Sequence, residues 1–233
     1  MKKRQLETNP QKTAQFLARV RDEITKRGIV DVLRKGIKAY PASLIMFYMT
    51  PSVNNPAAAA LYAKNIFSVT RQLHFSPDAT KLSLDLCIFV NGLPVITFEL
   101  KNQLTKQNVD DAQVKFCTRL QGKESWFLPF NKGYKDGAGN PPNPDGLMTD
   151  YLWKQILTKD MLSRIIENYA TLVEEKDEET GKTRYKQIFP RYHQLTAVES
   201  LLADVKKNGV GNRYLIQHSA GSGKSNSIAW LAH

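Results

Sequence analysis

The sequence predicts an α/β chain holding one complete domain and the start of a second. Three observations carry that prediction. Two runs rich in Ile, Val and Phe, Leu82 to Val90 and Val95 to Leu100, are separated by Asn91-Gly92-Leu93-Pro94 and read as strands joined by a turn. Several segments with apolar residues at helical spacing flank them. Near the end, a glycine-rich loop follows a short apolar run and opens a helix. A length of 233 residues exceeds one typical domain and falls short of two.

The elements follow in order. Residues 11–28 carry Ala14, Phe16, Leu17, Val20 and Ile24 at helical spacing and end near Gly28. A second short helix, Ile29 to Arg34, stops before Gly36. Asn55 and Pro56 are a cap and first-turn residue for an Ala-rich helix over 57–64. After the two strands, a polar helix is expected from about Lys106 to Leu120, and a further strand at Trp126 to Phe130. Asn131 to Asp145, with three Gly and three Pro, is a long irregular loop. Residues 151–170 form two short helices, the second capped near Thr158, and 171–189 an exposed hairpin linking two domains. A helix from Arg191 to about Lys207 and a short strand, Tyr214 to Gln217, lead to the glycine loop. The domain boundaries expected are 1–150, a connector over 151–189, and 190–233.

Composition narrows the function. Lys and Arg number 33 against 22 Asp and Glu, a net charge of +11, which points to a polyanionic partner such as nucleic acid. Residues 1–38 alone supply +7 of it. A solvated basic helix gives the same count, but the asymmetry is local. Two cysteines, Cys87 and Cys117, are too few for a disulfide framework and fit a reducing cytosol. Met1-Lys2-Lys3-Arg4 has no apolar run behind it, and the longest greasy stretch, Ala42 to Met49, is too short to span a bilayer. Neither a secretory signal nor a membrane role is expected.

Two constellations carry chemistry. The first is Asp85, Glu99 and Lys101. If both strands are regular, Leu82, Leu84, Leu86, Ile88 and Val90 share one face and Asp85 lies on the other, as Glu99 and Lys101 do in the second strand. A three-residue turn puts Asp85 opposite Glu99. A two-residue Asn-Gly turn puts it opposite Phe98 instead, so the chemistry needs an odd loop or a bulge. Two carboxylates beside a Lys suit Mg²⁺, which acidifies a water and stabilises charge on a phosphate under attack. A merely polar outward face carries the same residues, but acids within otherwise apolar strands are costly without a purpose.

The second constellation is His218-Ser219-Ala220-Gly221-Ser222-Gly223-Lys224-Ser225. Backbone N–H groups and a helix N-terminus cradle phosphates, Lys224 reaches the terminal ones, and Ser225 ligates Mg²⁺. The consensus first Gly is His218, a departure. Gln194, in Arg191-Tyr192-His193-Gln194, offers a donor and an acceptor that match an adenine edge. No acidic motif follows Ser225, so this chain by itself is not expected to hydrolyse ATP. The four His show no metal spacing, and Trp126, Trp153 and Trp230 are expected in the core.

These residues, in this order, resemble the restriction (motor) subunit of type I restriction–modification enzymes. The resemblance is carried by GIVDVLRKGIK, NPAAAALYAKNIFSVTRQL, LDLCIFVNGLPVITFELKN, YLWKQILTKDMLSRIIENY, RYHQLTAVESL and HSAGSGKS, and covers nearly the whole chain. It implies a restriction-endonuclease-like mixed sheet flanked by helices, followed by the first edge of a RecA-like motor domain. It also implies that Asp85, Glu99 and Lys101 are the Mg²⁺-dependent nuclease motif, with Asp85 and Glu99 as ligands. Gln113 matches the first position of a Gln-x-x-x-Tyr motif, whose Tyr is Cys117 here. Gln194 matches the adenine-reading Gln, and Gly221, Ser222, Gly223, Lys224 and Ser225 the phosphate loop for ATP. The implied partners are double-stranded DNA and the methylase and specificity subunits, in the cytoplasm. Two rivals stand beside it: an ATP-driven translocase with a degenerate nuclease domain, and a non-catalytic docking module.

Overall fold

The computed structural model describes residues 9–39, 42–76, 78, 81–99, 113–116, 130–137, 139–176, 181 and 183–232. Helix α1 (Pro10–Arg27) starts where Asn9 Oδ1 accepts from the Lys12 N–H at 3.1 Å and Pro10 takes the first turn. Val20 and Ile24 are buried and Phe16 packs against the same core, whereas Leu17 is exposed. Helix α2 (Ile29–Lys35) follows after Gly28, and Ile29 to Leu33 are all buried. A small hairpin, β1 (Ile37–Ala39) with β2 (Ala42–Leu44), leads to helix α3 (Pro56–Tyr62), whose cap is Asn55 Oδ1 accepting from the Ala58 N–H at 3.0 Å.

The main sheet has four antiparallel strands in the order β3-β4-β5-β6: β3 (Phe67–His74), β4 (Ser83–Val90), β5 (Leu93–Glu99) and β6 (Gln113–Phe116). Strand β3 was not expected from the sequence; it pairs along β4 from Phe67↔Val90 to His74↔Ser83 and relieves β4 of an open edge. The expected helix over Lys106 to Leu120 is corrected at 113–116, which pair with β5 from Ile96↔Phe116 to Glu99↔Gln113. The run Gln-Val-Lys-Phe alternates polar and apolar residues with a period of two, and the edge of β5 supplies its ladder. The rest of that expected helix, and most of the strand expected at 126–130, lie outside the described residues.

After a loop with one helical turn (Tyr134–Gly137), the chain forms a π-helical stretch (Leu152–Ile156), helix α4 (Lys159–Arg164) and a second π-helical stretch (Ile165–Tyr169). Thr158 Oγ1 caps α4 by accepting from the Met161 N–H at 3.3 Å. A hairpin of β7 (Thr171–Lys176) and β8 (Thr183–Ile188) precedes helix α5 (Tyr192–Asn208) and helix α6 (Lys224–Ala232). No strand forms at 214–217 among the described residues, a correction. An isolated strand leaves its backbone unpaired, and Leu215 is 92% exposed with nothing to bury against.

The described residues form two apolar cores. One joins α1, α2, β4 and β5 through Ile24, Leu33, Ile88, Val90, Ile96 and Phe98, and takes Leu162 and Ile166 from the 151–170 segment. The other gathers Leu152, Ile165, Tyr169, Leu195, Val198 and Trp230. Leu162 and Ile166 are four residues apart, as are Ile165 and Tyr169, so adjacent stripes of one helical segment enter different cores. Polar ties fix the segment: Arg34 Nε donates to the Ile166 carbonyl at 2.5 Å, Glu167 accepts from the Thr50 N–H at 2.6 Å, and Tyr62 and Ser163 hydroxyls meet at 2.8 Å. Burial lowers the pKa of the Arg34 guanidinium.

The basic start is partly used inside the fold. Arg27 pairs with Glu23 at 2.7 Å and with Asp31, and Lys35 pairs with Asp31 at 2.5 Å. Burial opposes ionisation of Asp31, but hydrogen bonds from Lys35 and Arg27 outweigh it and hold the carboxyl below its ordinary range. Lys12, Arg19, Arg21 and Lys26 remain exposed on α1. Trp230 is buried, whereas Trp153 is 41% exposed and rests on Phe98 with ring centroids 5.4 Å apart. The expectation that all three tryptophans are core is therefore corrected for Trp153, and Trp126 lies outside the described residues. No described helix is long and apolar enough to cross a membrane.

Candidate functional site

The hairpin of β4 and β5 turns on two residues, Asn91 and Gly92, with φ of 50° and 82°. Both being positive, this is the tight Asn-Gly turn whose twist matches that of paired strands. Of the two turns weighed, the two-residue one forms: Val90 pairs with Leu93. Asn91 also anchors the turn, donating to the Met46 carbonyl at 2.8 Å and accepting from the Ile66 N–H at 2.7 Å.

By itself that turn sets Asp85 against Phe98. The register does not stay there. Between Ile88 and Phe89 it shifts by one residue, so that Phe89↔Pro94 gives way to Ile88↔Ile96, Cys87↔Thr97 and Leu86↔Phe98. The next positions outward along the two strands are Asp85 and Glu99. A β-bulge therefore delivers the alignment that the turn length alone denies. On the other side Glu99 pairs with Gln113, so three sequence candidates occupy consecutive strands at one level of the sheet. Lys101 lies outside the described residues.

Asp85 is half-buried and borders a depression of about 220 Å³ with Phe75, Leu82, Ser83, Leu84 and Phe98. Its Oδ1 accepts from Gln72 Nε2 at 3.4 Å, and Gln72 Oε1 in turn accepts from Ser83 Oγ at 3.1 Å. Gln72 has φ of 49°, in the left-handed region, and the pairing of β3 with β4 passes from Arg71 to Leu73 around it. Nothing in the sequence marks that Gln; its role comes from a backbone irregularity in an unexpected strand. Asp85 and the Glu99 position would together offer a hard-oxygen donor pair for a divalent cation. Neighbouring Cys87 is buried and free, and burial pushes its thiol pKa up. Among the described residues no group of three or more His, Cys, Asp or Glu is gathered at one place.

The second candidate is built where α5 and α6 begin. Gly221 and Gly223 have φ of 72° and 80° and carry the chain from His218 round to Lys224, the first residue of α6. At Gly223 a Cβ would sit 2.4 Å from Gln194 Nε2, so conformation and space both demand glycine. Gln194 is 3% exposed, and its amide is engaged at both ends: Oε1 accepts from the Arg191 N–H at 2.8 Å and Nε2 donates to the Gly223 carbonyl at 2.8 Å. The residue expected to read adenine thus braces the loop. Lys224 Nζ reaches back across the loop and donates to the His218 carbonyl at 3.3 Å, while Ser225 is exposed. Gln194 and the loop residues, some thirty positions apart, form one unit.

Comparison with known proteins follows this geometry. The family model described as type I restriction enzyme R protein N terminus matches residues 7–132, more than half the chain. A protein of Methanocaldococcus jannaschii named "Putative type I restriction enzyme MjaVIIIP endonuclease subunit" is 24% identical over 229 residues, covering 89% of this chain and 21% of that protein. The chain therefore spans about a fifth of that relative's length. No solved structure matches.

Proposed function

Because the chain belongs to the family of type I restriction enzyme R protein N termini, we propose that it is the DNA-cleaving part of such a subunit, hydrolysing phosphodiesters in duplex DNA with Mg²⁺. The observation that carries this reading is the bulge at Ile88/Phe89, which brings Asp85 and Glu99 to neighbouring positions of adjacent strands. An in-register hairpin would have been enough for folding. The donor set fits the ion, since Mg²⁺ is commonly held by one or two carboxylates together with substrate phosphate oxygens. When bound, it would supply the positive charge that offsets the charge building on a phosphate under attack.

The chain's own residues do the rest. Asp85 and Glu99 are the ligands, and Gln72 keeps the Asp85 carboxylate turned toward its place. Lys101 orients the attacking water or neutralises the scissile phosphate. Gln113, opposite Glu99, orients a neighbour or the DNA. The exposed cations of α1 add duplex affinity that falls with salt. Residues 218–225 serve as the ATP phosphate loop of a motor whose other parts belong to a longer protein, and that motor's translocation is coupled to cleavage. The methylase and specificity subunits are its partners.

Mn²⁺ binding to this chain in the presence of a short duplex tests the nuclease reading. Binding that disappears in Asp85→Ala is the expected result. Equal binding in both proteins, or none in either, would falsify the site on this chain and favour a degenerate or docking domain.

A further inference from the structure

The glycine loop has a second wall. A pocket of about 270 Å³ lies between the start of α5 and the loop, bordered by Arg191, His193, His218 and Ser222 along with loop backbone. Ser222 is 7% exposed, and its Oγ has no hydrogen-bond partner among the described residues. His218 Nδ1 is also buried and lacks one. Leaving such groups unsatisfied is costly, and native structures do so sparingly.

The arrangement of the two imidazoles is specific. His193 and His218 meet edge to face, with centroids 4.9 Å apart and planes at 83°. His193 Nε2 is 3.2 Å from the Ser222 carbonyl; a carbonyl only accepts, so that nitrogen carries the proton. Among the described residues no carboxylate borders the pocket, whereas Arg191 adds a permanent cation. A small pocket with two orphaned polar groups, a guanidinium and a helix N-terminus recognises an oxyanion. His218 is also the residue that replaces the consensus first glycine of the loop.

We propose that His218, with Ser222 and Arg191 and held in place by His193, forms an oxyanion subsite for the phosphate chain of a nucleoside triphosphate, beside the one Lys224 serves. This rests on the phosphate-loop reading of residues 218–225 and deepens it. The loop then grips phosphate oxygens through an imidazole as well as through Lys224 and backbone.

The test is titration of tripolyphosphate and of adenosine into the whole chain, by calorimetry. It compares the unmodified protein with Lys224→Ala, His218→Ala and His218→Asn, each checked for folding by its thermal melt. Tripolyphosphate is expected to bind. Lys224→Ala and His218→Ala each weaken it about tenfold, the usual consequence of losing one charge-assisted hydrogen bond, and His218→Asn recovers part of the loss. The ¹⁵N resonances of the His218 ring shift with tripolyphosphate and not with adenosine. Full affinity in His218→Ala beside loss in Lys224→Ala overturns the imidazole subsite and leaves the phosphate loop standing. No tripolyphosphate binding to the unmodified chain overturns both.

Discussion

The carboxylate hairpin and the glycine loop are assembled in opposite ways. The loop's parts run consecutively from His218 to Ser225, and one neighbouring stretch, Arg191 to Gln194, is brought in from elsewhere. The hairpin's two carboxylates are fourteen positions apart, and their meeting depends on one irregularity, the register shift at Ile88/Phe89. A contiguous site survives changes in distant packing as long as its own dihedral angles hold. A site made by register is lost when a single residue slips.

The largest effect should come from breaking this register. Deleting Phe89, with the Asn-Gly turn holding Val90 against Leu93, slips Asp85 inward from Glu99, to Phe98 if the bulge persists and to Thr97 if it closes; duplex-dependent Mn²⁺ affinity should fall at least a hundredfold, while tripolyphosphate binding is retained. Calorimetry on one preparation reads both, and a parallel loss of phosphate binding would mean that the two sites are not independent. Next comes Gly223→Ala, which forces a positive φ on a residue with a Cβ and drives it against Gln194 Nε2. A loss of about 2–3 kcal/mol in unfolding free energy is expected. Adding Gln194→Ala should recover part of it, so a strictly additive double mutant would exclude the steric origin.

Asp31 tests the ion pairs that join α1 and α2. Its pKa is lowered in the folded chain, so its contribution is complete above the unfolded value, about 4, and is lost as pH falls through the lower folded value. Asp31→Asn should cost about 2 kcal/mol at pH 7 and progressively less in acid. Denaturant midpoints at neutral and acid pH check this, and an equal cost at both would remove the ion pairs as the cause. The smallest effect is Gln72→Ala. Its 3.4 Å contact is long, so Mn²⁺ affinity should drop about twofold to threefold.

What could be read from the sequence follows the same division. Asn9-Pro10 and Asn55-Pro56 announced their helices because cap and first turn are adjacent in the chain. Asn91-Gly92 announced the hairpin for the same reason. The bulge had no such signature, so the sequence posed the register of Asp85 and Glu99 as a question and left its answer to packing. Strand β3, Phe-Ser-Val-Thr-Arg-Gln-Leu-His, carries strand formers only in its first half, and its pairing along β4 extends the rest. Local polarity places Gln113 in a helix, whereas the edge of β5 pairs it as a strand residue. The run Tyr214 to Gln217 had the composition of a strand and no ladder to join.

One joint sets how the two halves can move. Ile165 and Ile166 are adjacent in the chain yet belong to different cores, and Leu162 and Tyr169 extend the two stripes. A roll of this segment about its own axis would pull both sets of side chains from their seats at once. The ties from Arg34, Thr50 and Tyr62 oppose sliding along the axis as well, so this segment is held against both displacements where the two cores meet.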